Sequence, residues 1–416
     1  MFWTPELERP RLRPVEARPV QVHEETMVAL SDPLGLAEDG IAVTLPVFFL
    51  LTQMNGVNSV EIIAAEFQRQ FGEAIPIEKL RQIILQLDQA RLFEGETLRR
   101  HRDATLAAYR AAPARPMAHA GSGYPREAQA FLESMRAHFL SKGGPGRAPS
   151  PGSGPAVRAL IAPHIDFDRG GPNYGWSYQA LGDGPPPETV VILGTAHAPC
   201  GQPFTLTRVS FTTPQGVLPV EAGFIDAVAA RAGLDLFDDE LLHLREHSVE
   251  FQAAALHALF PGAASMRIVP ILCGSLHAEI AAGGLRPGSA TDRAIRALTD
   301  TIASWPRQVT VIAGADLAHM GPHFGDEAPV DEAVLASLHR QDHEAMTLAA
   351  AGNADGFLRS FVPTQNARRV CSVACIYTAL RCLPALGVSR GRLLNYMQSV
   401  HPGGELVVTH ASVVFP

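Results

Sequence analysis

The chain has 416 residues, 46% of them hydrophobic, and a formal net charge of -8. That length suits two or three domains around a large buried core, and the acidic balance leaves no electrostatic footprint for nucleic acid. No apolar run approaches the roughly 18 residues of a membrane span, and the N-terminus mixes Arg9, Arg11 and Arg13 with Glu6 and Glu8 rather than forming a signal peptide; the expectation is a soluble cytoplasmic protein.

Residues 1–25, rich in proline, arginine and glutamate, read as an extended arm. Residues 26–100 read as a compact unit. It opens with a short strand at 27–30 and a turn signal at Asp32-Pro33-Leu34-Gly35. A first helix begins near Leu45 and is stopped by Asn55-Gly56. Ser59 then caps a second helix, whose Val60, Ile63, Ala64 and Phe67 fall at helical spacing. A third carries Leu80, Ile83, Ile84 and Leu87, and 91–93 reads as the start of a small wing. Three short helices plus strands make a small α+β winged-helix module. From Ser59 to Glu96 its four basic side chains (Arg69, Lys79, Arg81, Arg91) face seven acidic ones (Glu61, Glu66, Glu73, Glu78, Asp88, Glu94, Glu96). A phosphate-binding face needs the opposite balance, so the module is expected to dock a protein or peptide, or to give structural support.

Residues 101–155 form a connector: helix, an Ala/Pro-rich stretch, a helix at 127–140, then a Gly/Pro/Ser linker at 143–155 with the composition of a flexible chain. The main α/β domain runs over 156–416. Apolar runs at 157–161, 190–193, 268–272, 309–313 and 406–408 alternate with helical stretches, which predicts a mostly parallel or mixed sheet covered on both faces in three layers.

Five cysteines stand at 200, 273, 371, 375 and 382, without a CxxC pair, which argues against a disulfide scaffold, a zinc ribbon or a thioredoxin-like centre. Only Lys79 and Lys142 are lysines, so neither a Walker-type P-loop nor Schiff-base chemistry beside the histidines described next is expected. The arginine and alanine richness fits a GC-rich bacterial genome.

Three of the apolar runs end in a potential metal ligand or proton carrier. Ala-Pro-His164 follows 157–161, Gly-Thr-Ala-His197 follows 190–193, and Gly-Ala-Asp316-Leu-Ala-His319 follows 309–313. In an open α/β sheet the carboxyl ends of the strands are where ligands bind, so these residues predict one assembled site. Imidazole and thiolate are ligands for Fe(II), Cu and Zn. Cys371 follows Arg368 and Arg369 and opens a helical stretch, which favours thiolate; it also shares a helical stripe with Cys375 and Cys382, so core packing stays open for it. Asp316 and His319 are three apart, so one can orient the other, and histidine suits proton transfer. Glu246-His-Ser-Val-Glu250 opens another apolar helix, with His247 and Glu250 on the same side as substrate or second-shell partners, or with the segment as an acidic N-terminal turn complementing the helix dipole. Arg169, beside Asp166 and Asp168, could fork onto a substrate carboxylate.

Several of these segments recur in one known family in the same order across roughly 118–416. They are Ala120-Gly-Ser-Gly-Tyr-Pro125, Ala162-Pro-His164, Ile192-Leu-Gly-Thr-Ala-His197, Glu246-His-Ser-Val-Glu250, Ile268-Val-Pro-Ile-Leu272, Asp316-Leu-Ala-His-Met-Gly321 and Val370-Cys371. The chain thereby resembles the Memo-like family, and within it the AmmeMemoRadiSam system protein B group; the stretch 32–93 resembles the PqqD-like winged helices that hold peptides or partner enzymes. The resemblance implies a fold akin to class III extradiol dioxygenases, which use non-haem Fe(II). It implies a metal pocket of His164, His197 and Cys371, with Asp316 and His319 lining it. Cys371 stands where the dioxygenases have a carboxylate, which separates the chain from ring cleavage, and Ala198 replaces a second histidine found in animal members. The implied neighbours are an AMMECR-like protein and a radical-SAM protein. The expected function is an iron-dependent redox enzyme with His319 as acid/base, Asp316 orienting it, and His247 and Glu250 as further catalytic residues. Copper or zinc are the alternative metals; a non-catalytic adaptor and a metal-dependent hydrolase are the alternative functions.

Overall fold

The computed structural model describes residues 3–38 and 40–416, and the chain divides into two compact units, 1–111 and 112–416. The first contains strands β1 (Glu16–Val22), β2 (Glu25–Ser31) and β3 (Ile41–Thr44), followed by helices α1 (Leu45–Gln53), α2 (Val60–Phe71), α3 (Ile77–Gln89) and α4 (Glu96–Ala111). The strands form an antiparallel sheet in the order β1-β2-β3. Val28, Leu30 and Val43 of the sheet bury against Leu50, Leu51, Val60, Ile63, Leu80 and Ile84 of the helices. Ser59 accepts a hydrogen bond from Ile62 N at 3.4 Å, and Gly72 ends α2 in the left-handed region (φ 75°), where a missing Cβ removes the steric cost. Asp32 organises its turn: it takes both prongs of the buried Arg13 guanidinium and the backbone N–H groups of Leu34, Leu36 and Ala37.

Two expectations for this unit change. Part of the 1–25 arm is a hairpin strand: β1 pairs with β2 from Glu16↔Ser31 to Val22↔Glu25, turned by His23 and Glu24 at positive φ. The small wing at 91–93 does not form among the described residues. Phe93 makes a single bridge to Leu12, Arg91 takes φ 62°, and helix α4 begins three residues on.

The second unit begins with α5 (Ala128–Leu140), β4 (Ala159–Ala162), α6 (Phe167–Asp183), β5 (Thr189–Thr195), β6 (Phe204–Leu206), β7 (Phe211–Thr213) and β8 (Gly216–Leu218). It continues through α7 (Ala222–Ala232), α8 (His247–Leu259), β9 (Arg267–Cys273), α9 (His277–Ala281), α10 (Ala290–Ser304), β10 (Val309–Gly314) and β11 (Asp316–Met320). It ends with α11 (Glu332–Ala350), α12 (Ala354–Arg359), α13 (Val373–Cys382), β12 (Arg392–Val400) and β13 (Val407–Phe415). A mixed sheet runs β11-β13-β4-β10-β5-β9-β6, with β12 on the other edge of β13. Strands β4, β10, β5 and β9 are parallel; β6, β11, β12 and β13 are antiparallel to their neighbours.

The continuous apolar runs of the central strands follow from burial on both faces. Ile161, Val191, Leu193, Val311 and Ala313 share a core with α7, α10 and α13, including Cys375 and Cys382, which are both fully buried. The alternate positions face α8: a Cβ on Gly194 would meet Ser248 and Val249 at 2.6 Å, and one on Gly314 would meet the Ser248 carbonyl at 2.8 Å. Glycine at these two strand ends therefore lets the first turn of α8 close onto the sheet.

The 143–155 segment is fixed to this unit instead of behaving as a flexible linker. Asp183 at the end of α6 binds Arg147 through both oxygens (3.0 and 2.6 Å) and accepts from Ser150 N at 2.8 Å, and its carbonyl accepts from Gly154 N. No helix among the described residues is long and apolar enough to cross a membrane.

Candidate metal centre

Parallel strands β4, β5 and β10 all end at one edge of the sheet, and the chain leaves each of them with a ligand-type residue. His164 follows β4, His197 follows β5, and Asp316 follows β10. The first turn of α8 brings His247 to the same place. One ring nitrogen from each of His164, His197 and His247 lies within 4.8 Å of the others. The His197 and His247 rings stack at 4.7 Å, and His164 stands edge-on to both, at 5.1 and 5.4 Å.

His164 and His197 are each held by a hydrogen bond through Nδ1, which leaves Nε2 to face the cluster. His164 Nδ1 donates to the Gly314 carbonyl at 3.0 Å, and its backbone N–H donates to Asp316 Oδ1 at 3.0 Å. His197 Nδ1 lies 3.0 and 3.1 Å from the two oxygens of Glu246, which also accepts from His197 N. His247 Nδ1 is 3.2 Å from Glu246 Oε1. Metal-binding histidines are oriented in this way, with a carboxylate or carbonyl on the far nitrogen fixing ring and tautomer. The donor set therefore fits a metal ion that prefers imidazole, such as iron, copper or zinc.

Cys371 adds a sulfur to the cluster. Its Sγ is 3.5 Å from His164 Nε2 and 3.2 Å from Ser372 Oγ. Burial alone would raise the thiol pKa, but the neighbouring His164 and His319 rings outweigh it and hold Cys371 well below the usual thiol range. The adjacent arginines expected to do this are engaged elsewhere: Arg368 binds buried Asp342, and Arg369 binds Asp326. For His164, burial opposes protonation, yet Asp316 and Cys371 prevail and the pKa rises to about 9. His197 rises well above its ordinary value, with Glu246 and Cys371 overcoming burial. His247 goes the other way, down to about 3, because burial and the neighbouring imidazoles dominate over Glu246. The metal-free cluster is thus a set of anions, Cys371, Asp316 and Glu246, balanced by imidazolium protons that a cation can replace.

The remaining predicted residues divide. His319 lines the same cavity of about 460 Å³ as the three clustered histidines, Asp316 and Arg169. Its Nδ1 contacts the Leu317 carbonyl at 3.1 Å. Asp316 does not orient His319: both residues lie in strand β11, paired to β13, and the Asp316 carboxylate engages His164 instead. Arg169 is paired with Asp166 at 2.6 Å rather than free for a substrate. Glu250 is not at the cavity. It is buried under the segment 115–124, bonded to the Arg115 guanidinium, to the N–H groups of Ala118 and His119, and to Tyr124 Oη at 2.7 Å. Helical spacing placed it near His247 in angle, but the buried cation Arg115 claims it.

Two contributors were missed by sequence reasoning. Glu246 looked like part of an acidic N-terminal turn, and it does cap α8 by accepting from Ser248 N at 3.0 Å, but it also orients His197 and lies 3.2 Å from His247 Nδ1. His119 lines the cavity beside His247 at 5.6 Å, fixed by Nε2 on the Arg245 carbonyl; its position depends on the Glu250 anchor and left no local signal. A second cavity, of about 480 Å³, lies against Cys371 and shares His197 with the first.

Comparison with known proteins matches residues 115–414 to the Memo-like protein family. A MEMO1 family protein of Aquifex aeolicus is 26% identical over 389 residues, covering 92% of this chain and 94% of its own. One of Thermus thermophilus is 27% identical over 352 residues, 81% of this chain and 93% of its own. One of Methanopyrus kandleri is 29% identical over 301 residues, 71% of this chain and 96% of its own. The Aquifex match covers more of the chain than residues 112–416 contain, so that similarity extends into the first unit.

Proposed function

From its place in the Memo-like family, to which this chain belongs, and from the convergence of His164, His197 and His247, we propose that the protein is a metal-dependent redox enzyme using non-haem Fe(II). The single observation that carries this reading is that three imidazoles, two of them tied down through Nδ1, converge at the carboxyl edge of a parallel sheet with the Cys371 sulfur beside them. When bound there, iron would supply one-electron chemistry and open coordination positions; copper or zinc suit the same donors. His164, His197 and Cys371 are the proposed ligands, with His247 as the competing third donor. Glu246 and Asp316 hold the ligating rings, and His319 is the proton carrier facing the cavity. The fold would be that of the extradiol dioxygenases, with the chemistry altered by sulfur in place of a carboxylate.

The first unit is the proposed docking module, of PqqD-like type but without the wing, for a peptide or protein substrate. Among the described residues, five of the eight exposed large apolar side chains, Val22, Leu45, Val57, Ile62 and Phe71, belong to it, and a contiguous patch of such residues would mark a protein contact surface. Within an AmmeMemoRadiSam-type system its partners would be an AMMECR-like protein and a radical-SAM protein. This surface also favours a second reading, a non-catalytic adaptor that holds metal or peptide without turnover.

Anaerobic titration of metal-free protein with Fe(II) tests the centre. Wild type should bind one ion tightly, and His164→Ala, His197→Ala and Cys371→Ser should each weaken binding at least about tenfold. Equal binding by wild type and variants would refute the site. Oxygen consumption by the iron-loaded protein separates enzyme from adaptor. Co-purification with a radical-SAM partner that is lost on deleting residues 1–100, without any turnover, would support the adaptor.

A further inference from the structure

Ser372 follows the cysteine of the cluster and stands at the N-cap position of α13, where a serine hydroxyl ordinarily accepts from a backbone N–H of the first helical turn. Here it makes no such bond. The side chain is buried and turned to the centre instead. Its Oγ accepts the Asp316 backbone N–H at 3.2 Å, and lies 2.9 Å from Thr195 Oγ1 and 3.2 Å from Cys371 Sγ. Thr195 Oγ1 lies in turn 3.4 Å from Cys375 Sγ, also buried. One hydroxyl therefore joins the end of β5, the start of β11 and the start of α13 beside the sulfur. Counting protons fixes the direction of this chain. A serine hydroxyl has one proton and two lone pairs, and the Asp316 N–H takes one lone pair. The proton is left for Thr195 or for Cys371. If it goes to Thr195, the contact between Ser372 and Cys371 needs a proton on sulfur. A metal-bound cysteine has none, because a coordinating thiol is deprotonated. With metal on Cys371 the order is Cys375 S–H to Thr195, Thr195 O–H to Ser372, and Ser372 O–H to the Cys371 thiolate. Each proton then has one acceptor, and the chain ends on a charged one, which makes the stronger bond.

We propose that Ser372 is a positioning residue whose hydroxyl donates to the Cys371 thiolate and sets the donor strength of that sulfur toward a bound metal. This rests on Cys371 being a ligand, as proposed above. A hydrogen bond draws electron density from sulfur, so it weakens donation to the metal and raises the reduction potential of the centre. Ser372 thus acts on the metal through Cys371 without touching it. The same oxygen holds the Asp316 N–H, and the Asp316 carboxylate holds the His164 N–H. The group that tunes the sulfur is therefore anchored to the strand that positions a ligating ring.

Load the metal-free full chain with Co(II), which reports a bound thiolate as a sulfur-to-cobalt charge-transfer band in the near ultraviolet, and compare wild type with Cys371→Ser, Ser372→Ala and Thr195→Val. Cys371→Ser should lose the band, which identifies it. Ser372→Ala should keep the band and move it to longer wavelength, and the Fe(III)/Fe(II) potential of the same variant loaded with iron should fall. Thr195→Val removes a buried hydroxyl from the same network but leaves Ser372 its proton and its sulfur acceptor, so its band should stay near the wild-type position. Should Ser372→Ala fold poorly, wild type alone decides: with exchangeable protons replaced by deuterium before loading, the cobalt–sulfur stretch in resonance Raman should shift. A band absent from wild type overturns the ligand reading and this proposal together. A band that is present but unmoved by Ser372→Ala, or moved equally by Thr195→Val, overturns the role of Ser372 alone, as does a stretch indifferent to deuterium.

Discussion

Glu246 meets His197 twice, through the backbone N–H at 3.1 Å and through Nδ1 at 3.0 Å. Both contacts come from one buried carboxylate, and its Oε1 also reaches His247 Nδ1. The carboxyl is held well below the usual carboxylate range, since the imidazoles and the Ser248 N–H outweigh its burial. It therefore fixes the His197 ring as a charged acceptor and lies against His247. Glu246→Gln preserves shape and the cap on α8 but offers a weaker, neutral acceptor. Loss of such a partner costs about 10–100-fold in metal affinity. Competition with a chelator of known affinity measures this, in protein shown to be folded. A variant that binds iron as tightly as wild type would show that the carboxylate only caps the helix.

A different outcome is expected at Glu250, although it stands only four residues further along α8. Arg115 and Glu250 form an ion pair with side-chain exposures of 0% and 1%. Removing one partner strands a buried charge, at a cost of about 3–5 kcal/mol. Glu250→Ala should therefore lower stability sharply in urea unfolding. In mild conditions where it stays folded, it should still bind metal at the buried centre, because no ligating ring touches it. Loss of metal stoichiometry in a demonstrably folded Glu250→Ala protein would return Glu250 to the site.

His243 makes the fold sensitive to acid. Burial lowers its pKa to about 4, with the hydrogen bond to the Thr205 carbonyl opposing that shift and Arg115 adding to it. The unfolded chain, with an ordinary histidine pKa near 6.5, takes up this proton first. Its contribution is intact above about pH 6.5 and is lost as pH falls toward 4, in total about 3 kcal/mol. Urea unfolding of wild type and His243→Gln at several pH values between 7 and 4.5 isolates the effect. The variant, which can keep a donor toward Thr205, should show a shallower decline. Parallel curves for the two proteins would mean that His243 does not titrate differently on folding.

The parts of this fold that were legible in the sequence are those where one physical signal dominates. Strands β4, β5 and β10 are buried on both faces, so their runs are largely apolar, and the ligand-type residues just past their ends, His164, His197 and Asp316, stand out against them. Strand β1 gave no such signal: six of its seven residues are exposed, Pro19 interrupts it, and its turn uses His23 and Glu24 instead of glycine. The 143–155 segment has the composition of a linker, and only the distant Asp183 pins it. Spacing alone gave His247 and Glu250 a common direction on α8, but not the buried Arg115 that separates their roles. Asp316 was placed correctly at a strand end, while its partner was not, because His164 stands 152 residues earlier in the chain and no local pattern records that pairing.

Gly194 links the fold to the centre most directly. It is the penultimate residue of β5, three before His197, and its missing Cβ is the space into which the first turn of α8 fits. A methyl group there would stand 2.6 Å from both Ser248 Oγ and Val249 Cγ2 and 3.1 Å from Val249 N. Backbone is among the atoms that must yield, so a side-chain rotation cannot relieve the overlap. Overpacking of this kind costs about 1–3 kcal/mol. The turn that must move carries Glu246 and His247, so Gly194→Ala should weaken iron binding together with stability, even though glycine has no ligand to lose. Gly233→Ala is the control: Gly233 ends α7 at φ 60° with no atom in the way of a Cβ, and it should lower stability through backbone strain alone while leaving metal affinity unchanged. If Gly194→Ala binds iron like wild type, the approach of α8 to the sheet does not set the geometry of the centre.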